Sequence, residues 1–198
     1  YIHHTVSTWA RQLIQAAGGT VEVVGRDNLP QAERICFISN HQGAFDIPII
    51  LSTMPGPIGF IAKKELALLP IVNIWMKGIG CIFINRSNRR AALESIEQGV
   101  DQLKRGRFLI LFPEGTRSRG PHMNPFKHGS LKLPIRSGAV IVPITISGSY
   151  RLKELNGRIQ PGAVTVTIHK PIESEGFGED ETARLGTLLA EVIGRPLK

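Results

Sequence analysis

The chain has 198 residues, 42% hydrophobic and 20% charged, with a formal net charge of +8 and a sequence pI near 9.9. That length supports one sizeable core, and Gly and Pro are spread among short segments rather than pooled into a linker or repeat, so one domain is expected. The charge directs attention to anionic partners, whereas no uninterrupted apolar stretch reaches the roughly 18–20 residues of a membrane span.

In chain order, Ile2, Val6, Trp9 and Leu13 recur at helical spacing and predict an amphipathic first helix, stopped by Gly18–Gly19. This divides the chain into an N-terminal amphipathic helix over 1–19 and a single domain over 20–198. "TVEVVG" (20–25) alternates as a strand, and "RICFIS" (34–39) reads as a short buried one. A helix is expected from Asp46 to about Thr53, ended by "MPGP". "IGFIA" (58–62) is a strand, 66–76 a short apolar helix, and "GCIFIN" (80–85) another strand. Residues 89–106 form a helix whose stripe is Leu93, Ile96, Val100 and Leu103, closed by Gly106. Strands follow at 107–112, 140–146 and 163–169, and a last helix from Glu179. Cys36 and Cys81 fall inside apolar runs and read as buried thiols; their spacing indicates neither a disulfide framework nor a zinc site, and a reducing compartment fits. No signal peptide is visible.

Strands alternating with helices predict an α/β domain, a largely parallel mixed sheet flanked by helices. Three polar clusters begin where a strand ends: Asn40–Asp46, Arg86, and Pro113–Ser118. In an open parallel sheet the ligand crevice lies outside the carboxyl ends of the strands, so the three should meet on one edge.

His41 and Asp46 allow two readings. Histidine is the usual general base near neutral pH, and a carboxylate on its far nitrogen fixes the tautomer. Equally, Asp46 can cap a helix with Pro48 in its first turn, beside a solvated loop histidine. "FPEGTRSRG" (112–120) supplies Glu114, Gly115, Thr116 and Arg117. Its glycine lets backbone approach a ligand, and its arginine offers a planar fork to phosphate or carboxylate. It is not a P-loop, and it can also be an exposed basic loop. Lys63 and Lys64 end a further strand; each alone reads as surface as readily as site. No Ser or Cys stands beside a base to act as nucleophile. The histidine would therefore activate a hydroxyl on the substrate, and the cations would hold an anionic group of that substrate.

With these residues assembled, the sequence resembles the glycerolipid acyltransferase family, in particular the bacterial 1-acyl-glycerol-3-phosphate acyltransferases. Four motifs appear in order: "NHQGAFD" (40–46), "GCIFINR" (80–86), "FPEGTRS" (112–118) and "VIVPI" (140–144), with flanking "AKKEL" and "FKHG". The likeness runs from about Val21 to Ile172. Gly43 stands where serine is common, Asn85 where aspartate is common, and Val140 replaces the first of two prolines.

The resemblance implies an acyl transfer from acyl-CoA or acyl-carrier protein to the free hydroxyl of lysophosphatidic acid. His41 would be the base and Asp46 its orienting acid. Arg86, Arg117 and Lys63 would hold the phosphate, and Asn40, Glu114, Gly115 and Thr116 would shape the site, Glu114 by ordering the arginines. The apolar stretches 58–62 and 66–76 would serve as acyl groove or as core. No metal or cofactor is implied beyond the thioester co-substrate. Amphiphilic substrates place the expected work at a membrane surface, the cytoplasmic face of the inner membrane. Trp9, Ile2 and Leu13 suit docking there, or core packing. Glycerol-3-phosphate or another lysophospholipid is the alternative acceptor. A non-catalytic anionic-lipid binder of the same fold is the alternative of another class. Nucleic-acid binding is not expected, because no recognition motif accompanies the charge.

Overall fold

The structure, a computed structural model, describes residues 2–68, 70–84 and 89–197, with backbone alone at 63, 70–72, 89 and 92. The strands are β1 (Gly19–Val24), β2 (Ile35–Ser39), β3 (Ile58–Lys63), β4 (Ile82–Ile84), β5 (Phe108–Leu111), β6 (Val140–Ser147), β7 (Gly162–Ile168) and β8 (Ile172–Glu173). The helices are α1 (Ile2–Ala16), α2 (Asp46–Thr53), α3 (Pro70–Gly78), α4 (Arg89–Lys104), α5 (Lys132–Ser137) and α6 (Thr182–Gly194). They build an eight-stranded sheet of order β1-β7-β6-β2-β5-β3-β4, with β8 on β6.

The five strands from β6 to β4 run parallel, and β7 turns against β6. β1 is parallel to β7, and β8 is antiparallel to β6. The carboxyl ends of β2, β5 and β6 therefore share one edge. β2 sits at the centre, with Cys36 opposite Leu109 on one side and Ile141 on the other. All five of its residues are buried, as expected of a parallel strand covered on both faces.

Period-2 alternation splits the core. Phe37, Ile110, Val142 and Ile144 face a layer containing Val6, Ala10 and Ile14 of α1 and Ile49 and Ile50 of α2. Cys36, Ile38, Leu109 and Leu111 face the opposite layer, which holds Val100 and Leu103 of α4, Leu133 of α5 and Leu185, Leu189 and Ile193 of α6. Both cysteines are free and buried; burial pushes the Cys36 thiol far up and that of Cys81 to about 11.

The structure corrects several sequence expectations. The buried face of α1 is Val6–Ala10–Ile14, which packs on α2, whereas Trp9 is exposed. Leu13 is partly buried on the core, and Ile2 lies against Gly78. The expected helix over 66–76 is a 3-10 turn (Lys64–Leu68) followed by α3, which starts on Pro70. Proline suits a first helical position and disfavours helix before it. Along α4, Val100 and Leu103 are buried and Ile96 packs against the core, while Leu93 is exposed. α5 and β8 were not foreseen: one is six residues long with an internal proline, the other two residues. Of the two candidate acyl-groove stretches, Ile58 and Phe60 are core, whereas Leu66, Leu68, Ile74 and Trp75 are exposed. No described helix is long and apolar enough to cross a membrane.

Candidate active site

The chain leaves β2 after Ser39 and turns into α2 over residues 40–46, beside the loop that leaves β5 at Phe112. Asn40 is fully buried: its Nδ2 donates to the Ile146 carbonyl at 2.8 Å and its Oδ1 accepts the Ile146 N–H at 2.8 Å. The Asn40 side chain thus fastens the turn to β6 rather than facing a substrate.

His41 is held on four sides. Its Nδ1 lies 2.7 Å from Asp46 Oδ2. Its ring stacks on Phe112, with centroids 4.3 Å apart at 25°. Its backbone N–H donates to Glu114 Oε1 at 2.6 Å, and its carbonyl accepts the Ser118 N–H at 2.8 Å. The side chain remains 18% exposed, and the ring's far nitrogen, Nε2, has no hydrogen-bond partner among the described residues.

Asp46 is completely buried. Besides His41, Oδ2 accepts the Gly43 N–H at 2.9 Å, and Oδ1 accepts a short hydrogen bond from the Ser149 hydroxyl. Neither oxygen caps α2, whose N-cap is Phe45, with no side-chain cap bond. The capping reading is therefore corrected: the carboxylate reaches back into the turn because three donors already converge on it. Its place in the first turn of α2 still favours the negative charge.

Glu114 is also buried, and its role differs from the expected ordering of arginines. Its two oxygens accept the backbone N–H groups of His41 and Asn124, the second at 2.7 Å. Burial raises its pKa, and those two N–H groups oppose the rise. Gly115 adopts φ 71°, and a Cβ there would lie 3.2 Å from the Lys127 side chain, which crosses over it. Thr116 is exposed. Arg117, 38% exposed, gives Nη1 to Glu154 at 3.2 Å. Arg86 lies outside the described residues, as does the side chain of Lys63, whose backbone ends β3.

The structure thus brings Asn40, His41, Asp46, Glu114, Gly115, Thr116 and Arg117 to one edge. Sequence reasoning missed Gln42, Ser149, Glu154 and Lys127. Gln42 is buried and accepts the Gly148 N–H at 2.9 Å, pinning the loop after β6 to the turn. Ser149 and Glu154 stand in that loop, over a hundred positions from the residues of the 40–46 turn that they touch. Only "FKHG" gave any signal for Lys127.

The chemistry is that of a buried carboxylate aligning an accessible imidazole. The acyltransferase family model matches residues 20–147, which include both polar loops and the five parallel strands from β6 to β4. The chain belongs to the acyltransferase family, and it groups there with proteins named 1-acyl-sn-glycerol-3-phosphate acyltransferase. One, from Borreliella burgdorferi, is 31% identical over 183 residues, covering 92% of this chain and 73% of that protein. One from Saccharomyces cerevisiae is 34% identical over 185 residues, 91% of this chain and 61% of its own length. Another, from Chlamydomonas reinhardtii, is 36% identical over 155 residues, and the chain spans 46% of it. The crystal structure of the lysophosphatidic acid acyltransferase PlsC from Thermotoga maritima superposes with a TM-score of 0.87 at 31% identity, over 98% of this chain and 78% of that one.

Proposed function

We propose that the chain transfers a fatty acyl group from an acyl thioester, acyl-CoA or acyl-carrier protein, to the free hydroxyl of 1-acyl-glycerol-3-phosphate, giving phosphatidic acid. The observation that carries this reading is the 2.7 Å contact between His41 Nδ1 and the buried Asp46, on an imidazole that remains accessible. With Nδ1–H donated to Asp46, Nε2 carries the free lone pair. Nε2 takes the hydroxyl proton as the oxygen attacks the thioester carbon. The new C–O bond forms and the C–S bond breaks. The departing thiolate takes the proton back from the imidazolium, which Asp46 stabilises meanwhile. A thioester has a good leaving group, so no acyl-enzyme is needed.

Arg117 holds the acceptor's phosphate through its planar fork, with Arg86 and Lys63 assigned to the same group. Glu114, Gly115 and Thr116 shape the loop that carries Arg117, and Asn40 fixes the turn that carries His41. The exposed apolar side chains of Trp9, Leu68, Ile74 and Trp75 support work at a membrane surface, proposed as the cytoplasmic face of the inner membrane. The test is turnover of 1-acyl-glycerol-3-phosphate with each donor, repeated with His41→Ala. Loss of general-base catalysis should lower kcat by about 10²–10⁴-fold while acceptor binding persists. Undiminished turnover in that variant would overturn the mechanism, and product from another acceptor alone would overturn the assignment of substrate.

A further inference from the structure

The loop after β6 carries a side chain at the site that none of the motifs contains. Glu154 has a side chain only 6% exposed. Its Oε1 accepts the Ala44 N–H at 2.8 Å and Arg117 Nη1 at 3.2 Å. Its Oε2 is buried with no hydrogen-bond partner among the described residues. That oxygen sits against Gly43, where a Cβ would lie 2.6 Å from it. The carboxylate thus fills the space a side chain at position 43 would need. A buried carboxylate with one oxygen unpartnered is unfavourable by itself, and the arginine beside it is the charge that offsets this.

The arrangement has a direct consequence for Arg117. One N–H of its guanidinium is engaged by Glu154, which leaves the rest of the fork for an anion. A free arginine loses rotamer freedom when it closes on a ligand; one already held by a carboxylate loses less. The same Glu154 oxygen also grips the peptide of Ala44, in the turn between His41 and Asp46. Anion and base are then referred to one rigid frame, which is what a near-attack geometry requires.

We propose that Glu154 is the positioning residue for the acceptor's anionic group: it holds the Arg117 fork in register with the His41 turn, and it requires glycine at position 43 to do so. The inference rests on the assignment of Arg117 to the acceptor's phosphate. It opposes the simpler electrostatic expectation, in which a carboxylate near the phosphate weakens binding by repulsion.

The experiment measures kcat and the separate KM values for 1-acyl-glycerol-3-phosphate and acyl-CoA. It uses wild type, Glu154→Ala, Glu154→Gln, Arg117→Ala, Gly43→Ser and the double variant Gly43→Ser/Glu154→Ala. Glu154→Ala should raise the acceptor KM about tenfold and leave the donor KM within about twofold. Glu154→Gln keeps an oxygen for both donors but loses the charge, so its acceptor KM should rise about threefold. Being isosteric, it carries the comparison even if the alanine variant folds poorly. Gly43→Ser should be impaired alone and partly recover when Glu154 is also truncated, a coupling that independent sites would not show. An acceptor KM that is unchanged or lowered in both Glu154 variants, while Arg117→Ala raises it, overturns this inference alone. An unchanged acceptor KM in Arg117→Ala overturns the phosphate assignment, and this inference with it. Strict additivity of the Gly43 and Glu154 substitutions also overturns it.

Discussion

Replacing Asp46 by asparagine separates the orienting role of this carboxylate from its place in the fold. The side chain keeps its shape. With the amide oxygen in the place of Oδ2, the donors of His41 at 2.7 Å and Gly43 at 2.9 Å both retain an acceptor. The Ser149 hydroxyl now donates to Oδ1; it can rotate to accept from the new amide instead. The fold should therefore survive, with a thermal midpoint within about 5 °C of wild type. What disappears is the negative charge facing the imidazolium. At the observed 2.7 Å and an effective dielectric of about 20, the Coulomb attraction is about 6 kcal/mol. That is an upper bound, since the charge is shared over two oxygens and three donors. The lower bound is the value of one charge-assisted hydrogen bond, about 1.5–3 kcal/mol. At about 1.4 kcal/mol per decade, kcat should fall by about 10–10⁴-fold, with both KM values within about threefold. Spectrophotometric detection of the released thiol gives the rates, and a thermal melt establishes folding. A folded Asp46→Asn enzyme with kcat within about threefold of wild type would refute the relay.

Three further outcomes concern stability. Burial, and then the charge of Arg195, lower the pKa of His169, whose Nε2 lies 2.8 Å from the Thr145 hydroxyl. Its contribution is present above the ordinary value of 6.5 and is lost as pH falls from there through the lowered folded value; urea unfolding across about pH 5–8 should show this slope, and His169→Gln should flatten it. The raised pKa of Glu114 has the opposite sign: its contribution is present below the ordinary 4.5 and is lost as pH rises through the folded value. Glu114→Gln should therefore remove a decline seen in wild type on the alkaline side of 4.5, and an unchanged slope would sink that assignment. In α4, Gly99→Ala improves helix propensity by about 1 kcal/mol but sets a Cβ 2.3 Å from Leu133 Cδ1 in a fully buried position, and overpacking costs about 1–3 kcal/mol. Overpacking should win, lowering stability by up to about 2 kcal/mol in chemical unfolding, whereas a stabilised variant would show that Leu133 yields freely.

The frame of the site was legible because strand ends announce themselves. A buried apolar run followed at once by "NHQGAFD" or "FPEGTRS" places two polar loops on neighbouring carboxyl ends once the strands are parallel, and β2 and β5 are neighbours. The antiparallel β7 and its partner β1 were legible as strands, but alternation along a segment carries no information about its direction. The two roles open to the Ile2–Val6–Trp9–Leu13 stripe are divided in the structure, because helical spacing alone does not say which side chains α2 covers: Val6 is buried with Ala10 and Ile14, and Trp9 stays exposed. Ser149 and Glu154 were invisible for a different reason. Nothing in "GSYRLKEL" distinguishes them from ordinary loop residues, and their meaning comes from the 40–46 turn that the sheet folds beneath them. The wider lesson is that one face of this site is built by its motifs and the other by a loop whose sequence has no signature.

The paired bonds between Asn40 and Ile146 have one more consequence. The β2–β6 ladder runs through Ser39 opposite Ile144, and the next rung would take the peptide of residue 41. The Asn40 amide presents a donor and an acceptor in that place, so a side chain finishes the sheet where the main chain departs. Ile146 keeps a full set of partners, and the backbone of His41 is released from the ladder to meet Glu114 and Ser118 instead. Aspartate, lacking the donor, would leave the Ile146 carbonyl unmatched. The point at which His41 leaves the sheet is therefore set by strand register, not by loop length. A change of loop length elsewhere around the site then leaves the imidazole where the sheet has put it.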